Sequence, residues 1–252
     1  MEIIKYKKLS NNKYKIILDS EELILYDDVI VKNSILLKKN LTREEIDKLI
    51  NDNIFYEGYY KAIAYINIRM RSIKEISDYL RKYINENLID EIVDILKNQG
   101  YLNDDDFARC FINDSINLKM IGPNKIIYEL EKLGINENII NKNIKLFTKN
   151  IEEEKIKKII EKQLKINKSK SVYNLKNSLK INLINNGFNK ESIDKYVNEI
   201  NYDESSIYEK EYNKLYNKLS KKYSGYELEQ KIKQKLFQKG LYRNQWECKK
   251  NM

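Results

Sequence analysis

The sequence predicts a mostly α-helical chain of tandem three-helix repeats that form an elongated curved body, preceded by a small β-hairpin/α N-terminal module. Few residues interrupt helices, because the 252 residues include only one Pro and seven Gly. Apolar residues recur with helical spacing from Phe55 onward. Gly134, Gly187 and Gly240 follow one another at intervals of 53 residues, which indicates an internal repeat.

The N-terminal module is predicted to span residues 1–56. Two β-prone runs, residues 14–18 and 23–26, flank a polar stretch and predict a β-hairpin. Asp27 or Asp28 is expected to cap a short helix after the hairpin. Two further helix starts have capping-box spacing: Thr42-x-x-Glu45 and Ser72-x-x-Glu75.

Four columns of apolar residues keep the spacing of the glycines. They are Ile126, Leu179 and Ile232; Leu130, Leu183 and Leu236; Ile135, Phe188 and Leu241; and Ile140, Ile193 and Trp246. An earlier copy fits at an offset of 51 residues, which aligns Tyr79 with Leu130. Each glycine is expected to end a helix in the left-handed conformation. The predicted repeats are 57–100, 101–148, 149–201 and 202–252, and the first opens with an apolar stripe of Ala62, Ile63, Ile66 and Met70.

The charge is basic and unevenly distributed. The net charge is +9, yet residues 1–57 hold ten Lys/Arg and eleven Asp/Glu, so the remaining chain carries +10. A polyanionic partner such as nucleic acid is one explanation. Compositional drift toward Lys and Asn, as expected from an AT-rich genome, is the other, and the sequence leaves both open.

The two cysteines, Cys110 and Cys248, form neither a metal-ligand pattern nor a disulfide framework. Cys110 is expected to be buried, because it lies among Phe107, Ala108 and Phe111. No apolar signal core begins the chain, and no apolar run approaches the roughly 18 residues needed to span a bilayer. These features predict a cytoplasmic protein that does not engage a membrane.

Motifs that carry chemistry are scarce. The chain contains no histidine, which removes the usual general base and the commonest transition-metal ligand. No Gly-rich phosphate loop is present. The acidic run Asn103–Asp106 is interpreted as a helix N-cap, with a metal site as the alternative. The prediction is a non-enzymatic protein that needs no cofactor.

Basic residues are the remaining candidates for contact with a partner. Arg69 and Arg71 follow the first repeat helix, where they either complement the helix dipole or meet an acidic or phosphate-bearing partner. Lys119 and Lys125 flank the Gly122-Pro123 turn, beside helix N–H groups that favour anions. Solvated surface charge is the alternative for these two lysines.

A helix that begins near residue 156 is expected to carry a lysine-rich outer face. Its outer residues are Lys155, Lys157, Lys158, Lys162, Lys165, Lys168 and Lys170, and its inner residues are Ile156, Ile159, Ile160 and Leu164. Such a face either tracks a nucleic-acid backbone or is a solvated repeat surface. The full set of candidates for binding a partner is Arg69, Arg71, Lys74, Arg109, Lys119, Lys125, Lys158, Lys162 and Lys165.

Three motifs, taken in order, resemble the RecX regulatory proteins of bacteria, and the resemblance covers residues 55–200. They are Tyr65-Ile-Asn-Ile-Arg69-Met-Arg71-Ser72-x-x-Glu75; Gly100-Tyr-Leu-Asn-Asp104-x-x-Phe107-Ala108; and Gly122-Pro-x-x-Ile-x-x-Glu-Leu130-x-x-x-Gly134-Ile135. Each motif alone is weak, whereas the ordered trio is specific. The N-terminal module resembles the extension seen in longer members of the family.

The resemblance implies tandem three-helix repeats and a non-enzymatic modulator of DNA repair, recombination and the SOS response. Such proteins bind the RecA filament on single-stranded DNA and usually inhibit strand exchange and RecA's co-protease activity. The resemblance also implies weak, non-specific binding of single- and double-stranded DNA, and we expect a monomer. Two rival hypotheses remain: a sequence-independent DNA-binding protein that acts without RecA, and a carboxylate-dependent nuclease that uses Asp104–Asp106.

Overall fold

The N-terminal module is a three-stranded antiparallel sheet packed on helices. The computed structural model describes residues 1–167 and 169–242. Strands β1 (Ile3–Lys8), β2 (Lys13–Leu18) and β3 (Glu22–Tyr26) follow one another in the sheet. The predicted hairpin is therefore confirmed as β2 and β3. Strand β1 was not predicted; it is an edge strand, and three of its six residues are lysines.

Helix α1 (Asp27–Lys32) follows the sheet directly, but its N-cap residue is Tyr26. The prediction that Asp27 or Asp28 is the cap was wrong, since both aspartates lie inside the first turn of the helix. There they complement the positive end of the helix dipole. Helix α2 (Arg43–Ile66) opens with the predicted capping box, in which Glu45 N–H donates to Thr42 and Thr42 N–H donates to Glu45.

Helix α2 is continuous across residue 56, where the sequence predicted a boundary. Its first half buries Ile46 and Leu49 under the sheet, and its second half buries Ala62 against the first repeat. One continuous helix therefore contributes to the cores of both the N-terminal module and the first repeat. The limits of the domains remain predictions.

Ten further α-helices follow the module in the part of the chain that the structure describes. They are α3 (Ile73–Leu80), α4 (Glu86–Asn98), α5 (Asp104–Leu118), α6 (Pro123–Lys132), α7 (Glu137–Asn143), α8 (Lys149–Ile166), α9 (Val172–Asn185), α10 (Lys190–Asn198), α11 (Ser205–Leu219) and α12 (Gly225–Gln238). The mostly helical fold is confirmed. None of the helices in residues 1–167 and 169–242 is long and apolar enough to cross a membrane.

The repeat columns are buried wherever the structure describes them. Ile126, Leu179 and Ile232 are at most 2% exposed, and so are Leu130, Leu183 and Leu236. Trp246 lies outside the described residues. The earlier copy needs a correction in its middle helix, because the fully buried residues there are Ile76 and Leu80 rather than Tyr79. The offset from α3 to α6 is therefore 50 residues, which aligns Ile76 with Ile126 and Leu80 with Leu130.

The chain divides into two compact units. The first unit contains Met1–Ala108 and Glu131–Ile139, and the second contains Arg109–Leu130 and the described residues from Ile140 onward. In the second unit, α8, α9 and α10 bury one apolar cluster, and α11 and α12 bury another.

Candidate partner-binding surface

The glycine turns connect successive repeats, which their spacing in the sequence did not indicate. Gly134, Gly187 and Gly240 have φ of 78°, 79° and 68°, which confirms the predicted left-handed helix ends. Each turn also sits against the start of the middle helix of the preceding repeat. The hydroxyl of Ser72 donates to the carbonyl of Leu133 at 2.7 Å, and the hydroxyl of Ser171 donates to that of Lys239 at 2.7 Å.

We call each of these contacts between a glycine turn and the preceding repeat a joint. At the joint of Gly122, the donors are backbone N–H groups, whereas serine hydroxyls donate at the other two. Gly122 N–H donates to the carbonyl of Asn186 at 2.7 Å, and Asn124 N–H donates to the carbonyl of Gly187 at 3.0 Å. The start of α6 is therefore covered by the turn at Gly187. The hypothesis of exposed N–H groups that attract an anion between Lys119 and Lys125 is wrong, because the N–H groups of Gly122 and Asn124 already have protein partners.

Arg71 and Arg69 converge on Glu75. The Arg71 guanidinium lies 3.7 Å from the ring centroid of Tyr65, and its side chain is only 9% exposed. Arg69 approaches Glu75 at 2.5 Å and keeps a 51% exposed side chain. Burial acts to raise the pKa of Glu75, but Arg69, the Ser72 N–H and Arg71 together hold it below its usual value. Arg71 is thus structural, and Arg69 remains accessible.

Lys74 and Lys125 both lie beside glycine turns. Lys74 donates to the carbonyl of Lys132 at 3.0 Å while its alkyl chain packs on Gly134. At Gly187, the neighbouring atoms are instead the backbone and Cβ of Lys125. Both residues thus contribute to the contacts between repeats, and their role in binding a partner remains a prediction.

Lys119 and Arg109 lie on the second unit. Lys119 pairs with Glu129 at 3.3 Å and lies over the ring of Phe111, with 44% of its side chain exposed. Arg109 is exposed on α5. The neighbouring Cys110 is exposed as well, so the prediction that it is buried was wrong. The buried face of α5 is formed instead by Phe107, Ala108 and Ile112.

The predicted lysine-rich face of α8 is present but smaller than expected. Lys158, Lys162 and Lys165 are exposed at spacings of four and three residues, so they share one side of the helix. Lys168 lies outside the described residues. Leu164 is 38% exposed, so its assignment to the inner face was wrong.

Lys155 was assigned to the outer face of α8, and that assignment was also wrong. It is 7% exposed, and its ammonium donates to the carbonyls of Ser115, Ile116 and Lys119 at 3.4, 2.6 and 2.5 Å. Ser115 and Ile116 lie in the last turn of α5 and Lys119 follows it, a place where a cation is favoured by the helix dipole. Burial, with repulsion from Lys158, lowers the pKa of Lys155.

Glu152, one turn earlier on α8, is also buried and polar. Its carboxylate accepts hydrogen bonds from the backbone and side-chain nitrogens of Asn189 at 2.7 and 3.0 Å, and from the Ser192 hydroxyl at 3.1 Å. It therefore caps the start of α10. Lys155 and Glu152 could be noticed in the sequence because each is a charged residue on the apolar side of a helix. That position predicts burial against a polar partner, but the partner can be named only when the facing segment is known.

The acidic run Asn103–Asp106 caps the start of α5, as predicted. Asn103 accepts hydrogen bonds from the N–H groups of Asp105 and Asp106 at 2.9 and 3.2 Å. Asp104 turns inward, where it accepts from the Ile73 N–H at 2.9 Å and where burial raises its pKa. Among residues 1–167 and 169–242, no group of three or more acidic, Cys or His side chains is placed to hold a metal ion.

No family model matches this sequence. The chain is 30% identical over 198 residues to the regulatory protein RecX of Bacillus pumilus, which covers 78% of this chain and 75% of that protein. The chain belongs to the RecX family. RecX of Bacillus subtilis is also 30% identical, over 210 residues that cover 82% of this chain and 80% of that protein. The resemblance predicted from the three motifs is therefore confirmed.

Two solved RecX structures agree in fold. A crystal structure of regulatory protein RecX superimposes with a TM-score of 0.66 at 20% identity, covering 79% of this chain and all of that one. The crystal structure of RecX from Lactobacillus salivarius gives a TM-score of 0.53 at 30% identity, covering 59% of this chain and 97% of that one. These relatives and the first of the two structures are named regulatory proteins.

Proposed function

We propose that this chain binds the RecA–DNA filament and inhibits its recombinase and co-protease activities, and so affects DNA repair. The observation that carries the proposal is the 30% identity to regulatory RecX proteins over about four fifths of the chain. The exposed lysines of α8 supply a positive surface suited to a filament that contains nucleic acid. The chain would act as a monomer in the cytoplasm.

The proposed mechanism is steric and electrostatic. The repeats lie along neighbouring RecA subunits, cover their groove and favour disassembly or capping of the filament. The chain itself supplies no catalytic group and needs no cofactor in this scheme, because ATP and magnesium belong to RecA. Its regulatory effect therefore depends on affinity for the assembled filament.

Titration of RecA with this protein tests the proposal. We expect substoichiometric to stoichiometric amounts to reduce the DNA-dependent ATPase of RecA and its strand-exchange yield. The measurements are steady-state ATP hydrolysis and gel-resolved strand exchange on the same single-stranded DNA. No change in either rate at a twofold excess over RecA would contradict the proposed function.

The alternative function, DNA binding without RecA, has its own signature in the lysines of α8. Replacing Lys158, Lys162 and Lys165 by Gln should weaken DNA binding and reduce the slope of log affinity against log salt by about one for each phosphate that the protein no longer neutralises. Fluorescence anisotropy with labelled single-stranded DNA over a salt series measures both quantities. If this variant also leaves RecA inhibition unchanged, these lysines serve DNA alone.

The matched control replaces three lysines of α11 by Gln: Lys210, Lys214 and Lys218. They are exposed in the same unit, and their replacement removes the same charge. An equal loss of DNA affinity in both variants would assign the effect to net charge rather than to the α8 face.

Magnesium-dependent cleavage of labelled DNA, abolished when Asp104–Asp106 become Asn, would instead support the nuclease hypothesis.

A further inference from the structure

Two helix connections expose the same pair of large apolar residues. Ile68 is 75% exposed and Met70 46% after α2, and Leu118 is 80% exposed and Met120 46% at the end of α5. The two pairs are 50 residues apart, the same offset that relates the buried residues of α3 to those of α6. We call Ile68 with Met70 the first tip and Leu118 with Met120 the second tip.

The tips were not recognised from the sequence, and the placement of Met70 in the apolar stripe of the first repeat was wrong. Helix α2 ends at Ile66, so Met70 lies beyond the helix whose periodicity it continues. A single exposed apolar residue is ordinary on a protein surface. Here two exposed apolar residues recur at equivalent places in two repeats, with similar exposed fractions, which indicates a role in binding.

Each tip is held in place by a largely buried cation. At the first tip, Arg71 stacks on Tyr65, pairs with Glu75 and donates to the Tyr65 carbonyl at 3.4 Å. At the second tip, the Lys155 ammonium holds the last carbonyls of α5. A segment that is already ordered loses less conformational entropy when it binds a partner. Both tips therefore have the rigidity of an interface anchor.

Each tip also carries one exposed cation between its two apolar residues. Arg69 lies between Ile68 and Met70, and Lys119 lies between Leu118 and Met120. Each pairs with a carboxylate of this chain, Glu75 or Glu129, yet 51% and 44% of the two side chains stay exposed, so the exposed part can meet a further carboxylate. The complement of such a tip is an apolar pocket with carboxylates at its rim. A nucleic-acid backbone provides the charge but no pocket for leucine and methionine side chains.

We propose that the two tips are protein-docking anchors that insert into an apolar, carboxylate-rimmed pocket on the partner. Two equivalent tips fit a partner that presents the same pocket more than once, as the identical subunits of a filament do. This inference rests on the proposed function, in which that filament is RecA. Apolar side chains at the centre of the contact supply affinity, and the cations supply orientation.

Two double substitutions test the tips: Ile68→Ser with Met70→Ser, and Leu118→Ser with Met120→Ser. Each should raise the concentration needed for half-inhibition of the RecA ATPase at least tenfold, because hot-spot residues carry most of the binding energy. DNA affinity and the melting temperature should stay close to those of the parent protein, since the replaced side chains are largely exposed. The control is Ile181→Ser with Ile184→Ser, which removes two apolar residues of α9 that are 62% and 53% exposed.

A photoreactive amino acid in place of Leu118 gives a second readout. It should cross-link to RecA in the filament, whereas the same group at Ile181 should not. If the parent protein inhibits RecA and both tip variants inhibit it equally well, the docking role of the tips is refuted and the proposed function stands. If the tip variants lose DNA affinity as much as they lose RecA inhibition, the docking role is also refuted, because the tips would then bind nucleic acid. Failure of the parent protein to act on RecA would remove both proposals.

Discussion

Replacing Gly187 by alanine is expected to lower the free energy of unfolding of the second unit by about 4 kcal/mol or more. Two costs combine at this position. The backbone has φ of 79°, where an alanine side chain costs ~1–2 kcal/mol. An added Cβ would also lie 2.3 Å from the backbone nitrogen of Lys125 and 2.6 Å from its Cβ. These atoms belong to the start of α6 and cannot move without opening the joint.

Gly100 provides a matched control for the conformational cost alone. It has the same φ of 79°, but a Cβ added there would meet nothing within 4 Å. Gly100→Ala should therefore lose only ~1–2 kcal/mol. Urea denaturation followed by circular dichroism measures both variants. Equal losses in the two would show that the close approach of Gly187 to Lys125 contributes nothing to stability.

Replacing Lys155 by methionine is expected to cost ~2–4 kcal/mol, although methionine has nearly the same length and is more apolar. The substitution removes an ammonium that donates to three carbonyls at and just beyond the end of α5. The carbonyls of Ile116 and Lys119 would then stay in a partly buried position without this donor, whereas the Ser115 carbonyl keeps the Lys119 N–H at 3.3 Å. An unmet buried acceptor costs more than the hydrogen bond itself contributes. Replacement by alanine should cost more, since it also leaves a cavity.

Lys158→Met is the control for Lys155→Met, because it makes the same change one turn away on the exposed side of α8. Its effect should stay within about 0.5 kcal/mol. The same urea titration compares the two variants. Stability of Lys155→Met equal to or above that of the parent would mean that the buried ammonium is no better there than an apolar side chain.

Local sequence chemistry predicted the parts of the fold that depend on neighbouring residues. The capping boxes at Thr42 and Ser72 are formed as expected, since four consecutive residues contain the whole motif. The left-handed glycines were also predictable, because a helix end needs a residue without a Cβ penalty. In both cases the physical requirement lies within about one turn of the chain.

Features that depend on distant segments were not predictable in this way. Lys155 was assigned to solvent because charge is normally exposed, and only the end of α5 explains its burial. The N–H groups at the start of α6 were expected to be free because their acceptors, Asn186 and Gly187, lie more than 60 residues later. Met70 continued an apolar period although α2 had already ended. Each error concerns a partner that periodicity cannot identify.

The joints between successive repeats restrict how a chain of this kind can change in length. A serine or glycine at the start of one middle helix is bonded to the carbonyl just before the next glycine, so a few added residues would separate the two. Duplication or loss of one complete period of about 53 residues would instead recreate an equivalent junction. Related chains should therefore become longer or shorter by whole repeats, and small insertions should occur only in loops outside the joints.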